Sequence, residues 1–437
     1  VYRSQSGGDA GSWRVRIANT DADLLGTLLL TNAVSSSYVQ CGWGSANSWV
    51  TMGWYCNVIA VDPVDPDVVW AGGVDLFRSD DGGRSWGLAS YWWSDLDPPR
   101  PSFVHADQHA VVFHPGYDGH ANTTMFATND GGVFRTENPS APVARGAGAI
   151  CDPTRSGVRF EGLNHNLGIT QFYHGAVFPG GDAWIGGTQD NGTILGRSAW
   201  GGDGWAGIWG GDGGYVAIEP ADPQTLYVES QWFGLQRSRD GGRSFTDART
   251  GVTEEPRGFL FITPYTLDPN DGARLWTGGR RLWRTDNRGA WWTAASSSPL
   301  GSGQVSAIAV APGDPHLVVA GTTDGHIFRN DRALAANGGT NWQSSRPRDG
   351  FVSSITFAPQ SSDTVYATYA GFGGRHVWRS RDRGLSWSDV DGRGSASVPD
   401  IPVHSLVVDP GNPDRLYLGT DLGVMTSING GRTWAVE

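Results

Sequence analysis

The sequence predicts an all-β chain folded as a β-propeller of about eight four-stranded blades, with seven or nine also compatible. Three observations predict it. A unit of about 45 to 60 residues recurs along most of the 437 residues. Each unit holds three or four short apolar runs bounded by Gly, Pro, Asp and Asn, without sustained helical period. A glycine turn followed by an aromatic residue closes most units. One such unit cannot bury both of its faces. Stacked radially, neighbours cover one another and only short edges remain.

One unit reads Asn57-Val-Ile-Ala-Val-Asp-Pro, then Asp67-Val-Val-Trp-Ala-Gly-Gly, Leu76-Phe-Arg-Ser and Asp81-Gly-Gly-Arg-Ser-Trp86. It returns at Tyr215 to Phe245, Phe259 to Trp292, Val305 to Trp342, Val352 to Trp387 and Val403 to Trp434. Divergent copies run from Ala110 to about Leu163 and from Phe172 to about Trp209. Residues 57–437 are therefore expected to form the propeller. Residues 1–56 form an irregular N-terminal segment, in which Val1-Tyr-Arg-Ser and Ser12-Trp-Arg-Val-Arg-Ile resemble part of a further blade.

Composition removes several functions. There is no Lys, so all 32 basic residues are Arg, which excludes Schiff-base chemistry and a Walker-type phosphate loop. The net charge of -12 argues against nucleic acid as a partner. Gly is abundant, at 64 residues, but 11% aromatic residues argue against disorder. No apolar run reaches the roughly 18 residues that a membrane-spanning helix needs. A chain beginning at Val1 fits a mature exported protein, so a secreted, extracellular, periplasmic or cell-surface location is expected. Of three cysteines, Cys41 and Cys56 could close a short loop by a disulfide, leaving Cys151 over.

The glycine turn follows Ser/Thr-x-Asp-x-Gly-x-Ser/Thr-Trp. It occurs as Ser79-x-Asp81-x-Gly83-x-Ser85-Trp86, Ser238-x-Asp240-x-Gly242-x-Ser244-Phe245 and Ser380-x-Asp382-x-Gly384-x-Ser386-Trp387. Looser forms centre on Asn287 and Asn429. The motif resembles the Asp-box, or BNR repeat, of sialidases, family 74 glycoside hydrolases and sortilin-type domains. The resemblance covers almost the whole chain and implies a fold more than a chemistry. The carboxylates of Asp81, Asp240 and Asp382 are expected to accept backbone N–H bonds within their own turns, a structural role. Each aromatic ring is expected to fill the space between blades.

Candidate chemistry lies elsewhere, in loops expected on the opposite face, where the second-to-third strand turns and the entries to each blade converge. Three segments depart from the repeat: Val104-His-Ala-Asp-Gln-His109, Gly162 to His174, and Gly210-Gly-Asp-Gly-Gly-Tyr215. If His105, Asp107 and His109 share a strand, their alternation puts them on one face, able to ligate a divalent cation or to tune an Asp. The alternative is a polar patch in a wet channel. No cofactor is otherwise expected. Asp212, between two Gly pairs, can project towards a ligand or serve a tight turn. Asp190 shares its turn position with Asp130 and Asp324, which favours a turn former that still faces the funnel.

Tyr173 and His174 could carry acid–base chemistry, as in a polysaccharide lyase, or pack as rings. Trp205, Trp209 and Trp232 fall outside the repeat. Flat rings beside Asp, Asn and Gln suit sugars, so with Gln171, Tyr173, His174, His105 and His109 they are candidate substrate contacts. The leading expectation is a carbohydrate-active propeller, a glycoside hydrolase with Asp107 and Asp212 as its carboxylate pair and Asp190 in reserve. The alternative is a non-catalytic scaffold that binds glycans or extracellular proteins.

Overall fold

The computed structural model describes residues 1–33, 51–94, 100–359 and 361–437. It is almost wholly β: eight four-stranded antiparallel sheets and one two-stranded sheet among the described residues. Each large sheet is a simple up-and-down meander in chain order, the blade of a β-propeller. The chain falls into two compact units, Val1–Thr170 and Gln171–Glu437.

The first unit holds two blades. The first comprises Val58–Val61, Val69–Gly72, Leu76–Ser79 and Gly87–Leu88. The second comprises Gln108–Phe113, Met125–Asn129, Gly132–Thr136 and Glu161–Gly162. Ahead of them Tyr2–Arg3 pairs with Arg14–Val15. Ile17, Leu25 and Leu28 from this N-terminal segment bury one face of the first blade, against Val69, Phe77 and Trp86. The opposite face of that blade, with Trp70 and Leu76, packs on Val111, Met125 and Phe134 of the second. Val69 and Trp70 are sequence neighbours in different cores, as a period of two requires.

The second unit holds six blades. Their inner strands are Phe172–Val177, Val216–Ile218, Tyr265–Asp268, Val305–Ala311, Phe351–Ala358 and Val403–Val408. A separate apolar core fills each junction. Tyr227, Phe233 and Leu235 of the fourth blade meet Tyr265, Leu275 and Trp283 of the fifth. Trp276, next to Leu275, faces the sixth blade instead.

Two repeated side chains lock these junctions. In five of the eight third strands an Arg reaches forward to backbone carbonyls of the next blade. Arg78 donates to Pro139 and Ala141, and Arg237 to Arg288. Arg284 donates to Ala333 at 3.0 Å and Leu334 at 2.9 Å. Arg329 and Arg379 donate to Arg383 and Gly430, each at 3.0 Å. The aromatic residue after the glycine turn reaches back. The indole N–H of Trp292, Trp342 and Trp434 donates to Ala248, Ala295 and Val390 of the preceding blade, at 2.6, 2.9 and 2.8 Å. A planar guanidinium can satisfy two carbonyls while its charge stays hydrogen-bonded, which an ammonium does less well.

The glycine turns join third to fourth strands. Asp81 Oδ1 accepts the Arg84 and Ser85 amides at 2.9 Å, and Oδ2 accepts the Ser85 hydroxyl at 2.7 Å. Ser79 Oγ donates to Asp81 and accepts the Gly83 amide. Gly82 and Gly83 take φ of 70° and 89°, which only glycine adopts freely. Asp240 and Asp382 repeat these contacts. All three carboxylates are structural, as the sequence predicts. The hydroxyl and amide of Ser386 hold the Asp382 carboxyl down at about 2.

The expected disulfide between Cys41 and Cys56 does not form. Cys56 is a buried free thiol, while Cys151 is disulfide-bonded. The Cys56 side chain points inward, to the Met52 carbonyl and to Asp107. Spacing in the sequence carries no information about that direction. Cys41 lies outside the described residues.

Two outcomes follow. Trp292→Phe keeps the ring but strands the Ala248 carbonyl, and should cost about 1–2 kcal/mol in denaturant unfolding. A cost near zero would deny the back-bond a role. For Asp382 the folded carboxyl lies below its ordinary value of 3.8, so its contribution is present above about pH 4 and is lost as pH falls through about 2. Asp382→Asn should therefore lower Tm at pH 7 and flatten the acid limb of the Tm–pH profile. An unchanged acid limb would contradict this.

Candidate functional site

In a meander blade the second-to-third strand turns lie at the end opposite the glycine turns. The loops entering each inner strand lie at that same end. The first unit gathers its chemistry there. Asp75 sits in the second-to-third turn of the first blade, and Asp130 in that of the second. His105 and Asp107 belong to the loop entering the second blade, and His109 is the second residue of its inner strand.

His109 Nε2 lies 2.5 Å from Asp130 Oδ1. The Tyr55 hydroxyl donates to both Asp130 oxygens at 3.0 Å. The Tyr55 and His109 rings meet edge to face, centroids 5.0 Å apart. Asp130 thus holds an imidazole and a phenol in one cluster. Asp107 stands beside it, with φ of 67°, an uncommon conformation for a non-glycine residue. Its amide donates to the Val74 carbonyl, and its Oδ1 takes the Cys56 thiol at 3.5 Å. Burial pushes the Asp107 carboxyl up, the Cys56 hydrogen bond opposes this, and the negative charge of Asp130 adds to the rise. Burial, with Asp107 alongside, drives the Cys56 thiol up to about 12, so it is no thiolate nucleophile.

Asp75 is fully buried. It accepts the Trp92 amide at 2.9 Å and the Ser90 hydroxyl at 3.3 Å through Oδ1. Its Oδ2 has no hydrogen-bond partner among the described residues. Burial raises its carboxyl to about 7, against the pull of those two hydrogen bonds. The buried Gln108 organises the loop, donating to the Val74 and His105 carbonyls and accepting from Asn129.

The expected alternation of His105, Asp107 and His109 along one strand fails. The strand begins at Gln108, its register breaks between Gln108 and Ala110, and Asp107 turns left-handed ahead of it. The His105 ring packs against Gly131, where a Cβ would collide with it. Among the described residues no group of three or more His, Cys, Asp or Glu side chains is arranged to hold a metal ion, which overturns the His105, Asp107, His109 metal set. A cavity of about 620 Å³ beside the N-terminal segment, lined by Leu29, Leu30, Val58 and Ile59, carries no carboxylate, imidazole or guanidinium side chain among the described residues.

In the second unit Asp190, Asp212 and Gln231 come together at the corresponding end. Asp212 is buried. Its Oδ1 accepts the Asp190 amide at 2.9 Å, and its Oδ2 takes the Gln231 side-chain amide. Both oxygens are thus engaged in joining the second-to-third turns of the third and fourth blades. The surrounding glycines serve close packing, since a Cβ on Gly187 would strike the Gly214 carbonyl. Tyr173 is close enough that, after burial, Asp212 and Asp190 raise its hydroxyl. The Gln171 carbonyl accepts the Gln189 amide.

His174 stacks on Tyr215 at 4.6 Å, and its Nδ1 accepts the Val216 amide at 3.4 Å. Burial lowers the imidazole to about 4, so it is neutral near pH 7. Trp205 and Trp209 are blade residues and not loop residues: they form the outermost strand of the third blade, Trp205–Trp209. Trp205 lies over Gly196 and near Phe172, and Trp209 packs on Phe245. Trp232 does occupy a loop, against Phe261.

Tyr55, Asp75, Gln108 and Glu229 were not among the sequence candidates. Glu229 is fully buried, accepts the Tyr215 and Thr263 amides, and is raised well above the ordinary value by burial. No motif marks these four residues. An acid among apolar neighbours, as in Leu226-Tyr-Val-Glu229, is the only signal.

No family model matches the sequence, and no curated protein sequence is similar to it. Solved structures are. YCF48 from Cyanidioschyzon merolae matches with a TM-score of 0.45 and 13% identity, over 85% of this chain and 95% of that one. A GH74 enzyme from Niastella koreensis matches with a TM-score of 0.25 and 16% identity, over 89% of this chain and 66% of that one.

The Asp75 carboxyl is raised in the fold, so its stabilisation is full below about pH 4 and lost as pH rises through about 7. Asp75→Asn keeps the acceptor for Trp92 and Ser90. Its Tm should decline less between pH 4 and 8 than the parent's, by the part that Asp75 contributes. Superimposable profiles would refute a buried neutral acid.

Proposed function

We propose that the chain is a carbohydrate-active propeller that hydrolyses a polysaccharide at the Asp107–His109–Asp130 cluster. The observation that carries this reading is the contrast between neighbours: a carboxyl raised by burial beside an imidazole oriented by a second carboxylate. Such pairs of unlike environment are how acid and base roles are divided. The raised Asp107 carries its proton to higher pH and serves as general acid. With Nε2–H directed at Asp130, His109 presents Nδ1 as acceptor and serves as base, and Tyr55 steadies Asp130. The glycosidic C–O bond breaks as Asp107 gives its proton to the leaving oxygen. Water adds to the anomeric carbon and loses its proton to His109.

The Asp-box-like turns and the likeness to family 74 glycoside hydrolases agree with this reading without carrying it. A disulfide at Cys151 supports an oxidising, extracellular compartment. A lyase using Tyr173 and His174 is disfavoured, because His174 Nδ1 is engaged with the backbone. The competing reading is a non-catalytic glycan- or protein-binding scaffold. It draws on Asp212, whose two oxygens are engaged internally and leave Asp107 without its expected partner.

A polysaccharide digestion screen, read by reducing ends and by unsaturated-product absorbance, tests the proposal. Release of reducing ends without unsaturated product is expected. Asp107→Asn and His109→Gln should each lower it about 100-fold or more with Tm unchanged. Asn tolerates the left-handed backbone at 107. No release from any polymer, or full activity in Asp107→Asn, would rule out the hydrolase and favour the scaffold.

A further inference from the structure

We infer that the second unit carries a saccharide-binding subsite, distinct from the acid–base cluster, in which a neutral pyranose ring stacks on Trp232. The inference takes its class of polymer from the preceding reading, while its geometry is independent of it.

Trp232 and Phe233 are consecutive bulky residues at φ of 61°, a conformation that costs on the order of 1–3 kcal/mol per residue. The surrounding packing enforces it. Phe233 is buried, stacked on Phe259 at 5.0 Å and set edge-on to Trp292 at 5.7 Å. The Trp232 amide donates to the Phe261 carbonyl at 3.0 Å. The outcome is that one ring is driven into the core and the next is turned out. Trp232 is 39% exposed and Phe261 is 41% exposed, their rings meeting edge to face at 5.4 Å. Large exposed rings held at a cost in backbone strain are the mark of a contact surface.

Beside the indole opens a cavity of about 270 Å³, the size for one sugar ring and not for a long chain. Its wall carries Asp247 and Arg249, paired at 2.7 Å, and Thr250. An adjacent acceptor and donor suit the neighbouring hydroxyls of a pyranose, whose CH face covers the indole. Glu254 adds a second negative charge to the lining, so the site disfavours acidic sugars. The walls are preformed. Trp292 donates through its backbone to the Thr250 carbonyl and through its indole to Ala248, and Glu254 accepts the Trp283 indole N–H. Little ordering is then required on binding.

Affinity electrophoresis of the whole chain in gels containing hydroxyethylcellulose, galactomannan or polygalacturonate tests this. Retardation is expected in at least one neutral gel. Trp232→Ala should weaken it about tenfold and Arg249→Met severalfold, while Trp232→Phe keeps it within about threefold. Thermal melting identifies any variant that has lost its fold, and Arg249→Met and Trp232→Phe then carry the test. Parental retardation in a folded Trp232→Ala, retardation only in polygalacturonate, or none in either neutral gel would overturn the subsite. Retardation lost with Trp232→Ala while no reducing ends are ever released would count against the hydrolase alone and leave the subsite standing.

Discussion

The fold depends on hydrogen bonds that leave one blade and end on the backbone of the next. Sheet ladders satisfy the interior of each blade, but the turns between third and fourth strands leave carbonyls facing the neighbouring blade. An unpaired buried carbonyl is costly, so five junctions supply a guanidinium donor. Arg284 reaches forward and Trp342 reaches back across one junction, and apolar side chains such as Trp276, Val305 and Phe328 fill the space between. The Ser-x-Asp-x-Gly turn holds the geometry from which those aromatic residues extend. A composition rich in Arg and Trp, with no Lys, is the chemical record of this arrangement.

The opposite end of the blades is freed from that duty, and there carboxylates differ in environment. Asp75 is sealed among apolar neighbours and favours its proton. Asp107 is half-buried beside a thiol and a second acid. Asp130 is surrounded by donors. Asp212 spends both oxygens joining two turns. Four aspartates on equivalent loops thereby acquire four characters, decided by which donors lie within about 3 Å and how much water is excluded.

Much of this was legible in the residues. Alternation such as Val69, Trp70, Ala71 announces a strand with two buried faces. The recurring turn announces its own hydrogen bonds, because Ser, Asp and Gly at fixed offsets bond locally. The loops that carry Asp107 and Asp212 depart from the repeat. Three features are not set by the local pattern. The alternation of His105, Asp107 and His109 is compatible with a strand, but Asp107 leaves the β region and breaks the period. Trp205 and Trp209 fall outside the repeat because a divergent outer strand carries no repeat signature. Cys56 was paired by spacing, while its side chain turns to Asp107.

Local interactions therefore belong to the sequence. Strand period and turn chemistry depend on residues a few positions apart, whose geometry the chain fixes wherever it folds. Tyr55 on Asp130, Cys56 on Asp107 and Gln231 on Asp212 join residues 75, 51 and 19 positions apart. Such contacts exist only once blades are stacked, and burial, which sets the proton affinity of Asp75 and Asp107, is a property of that stacking alone.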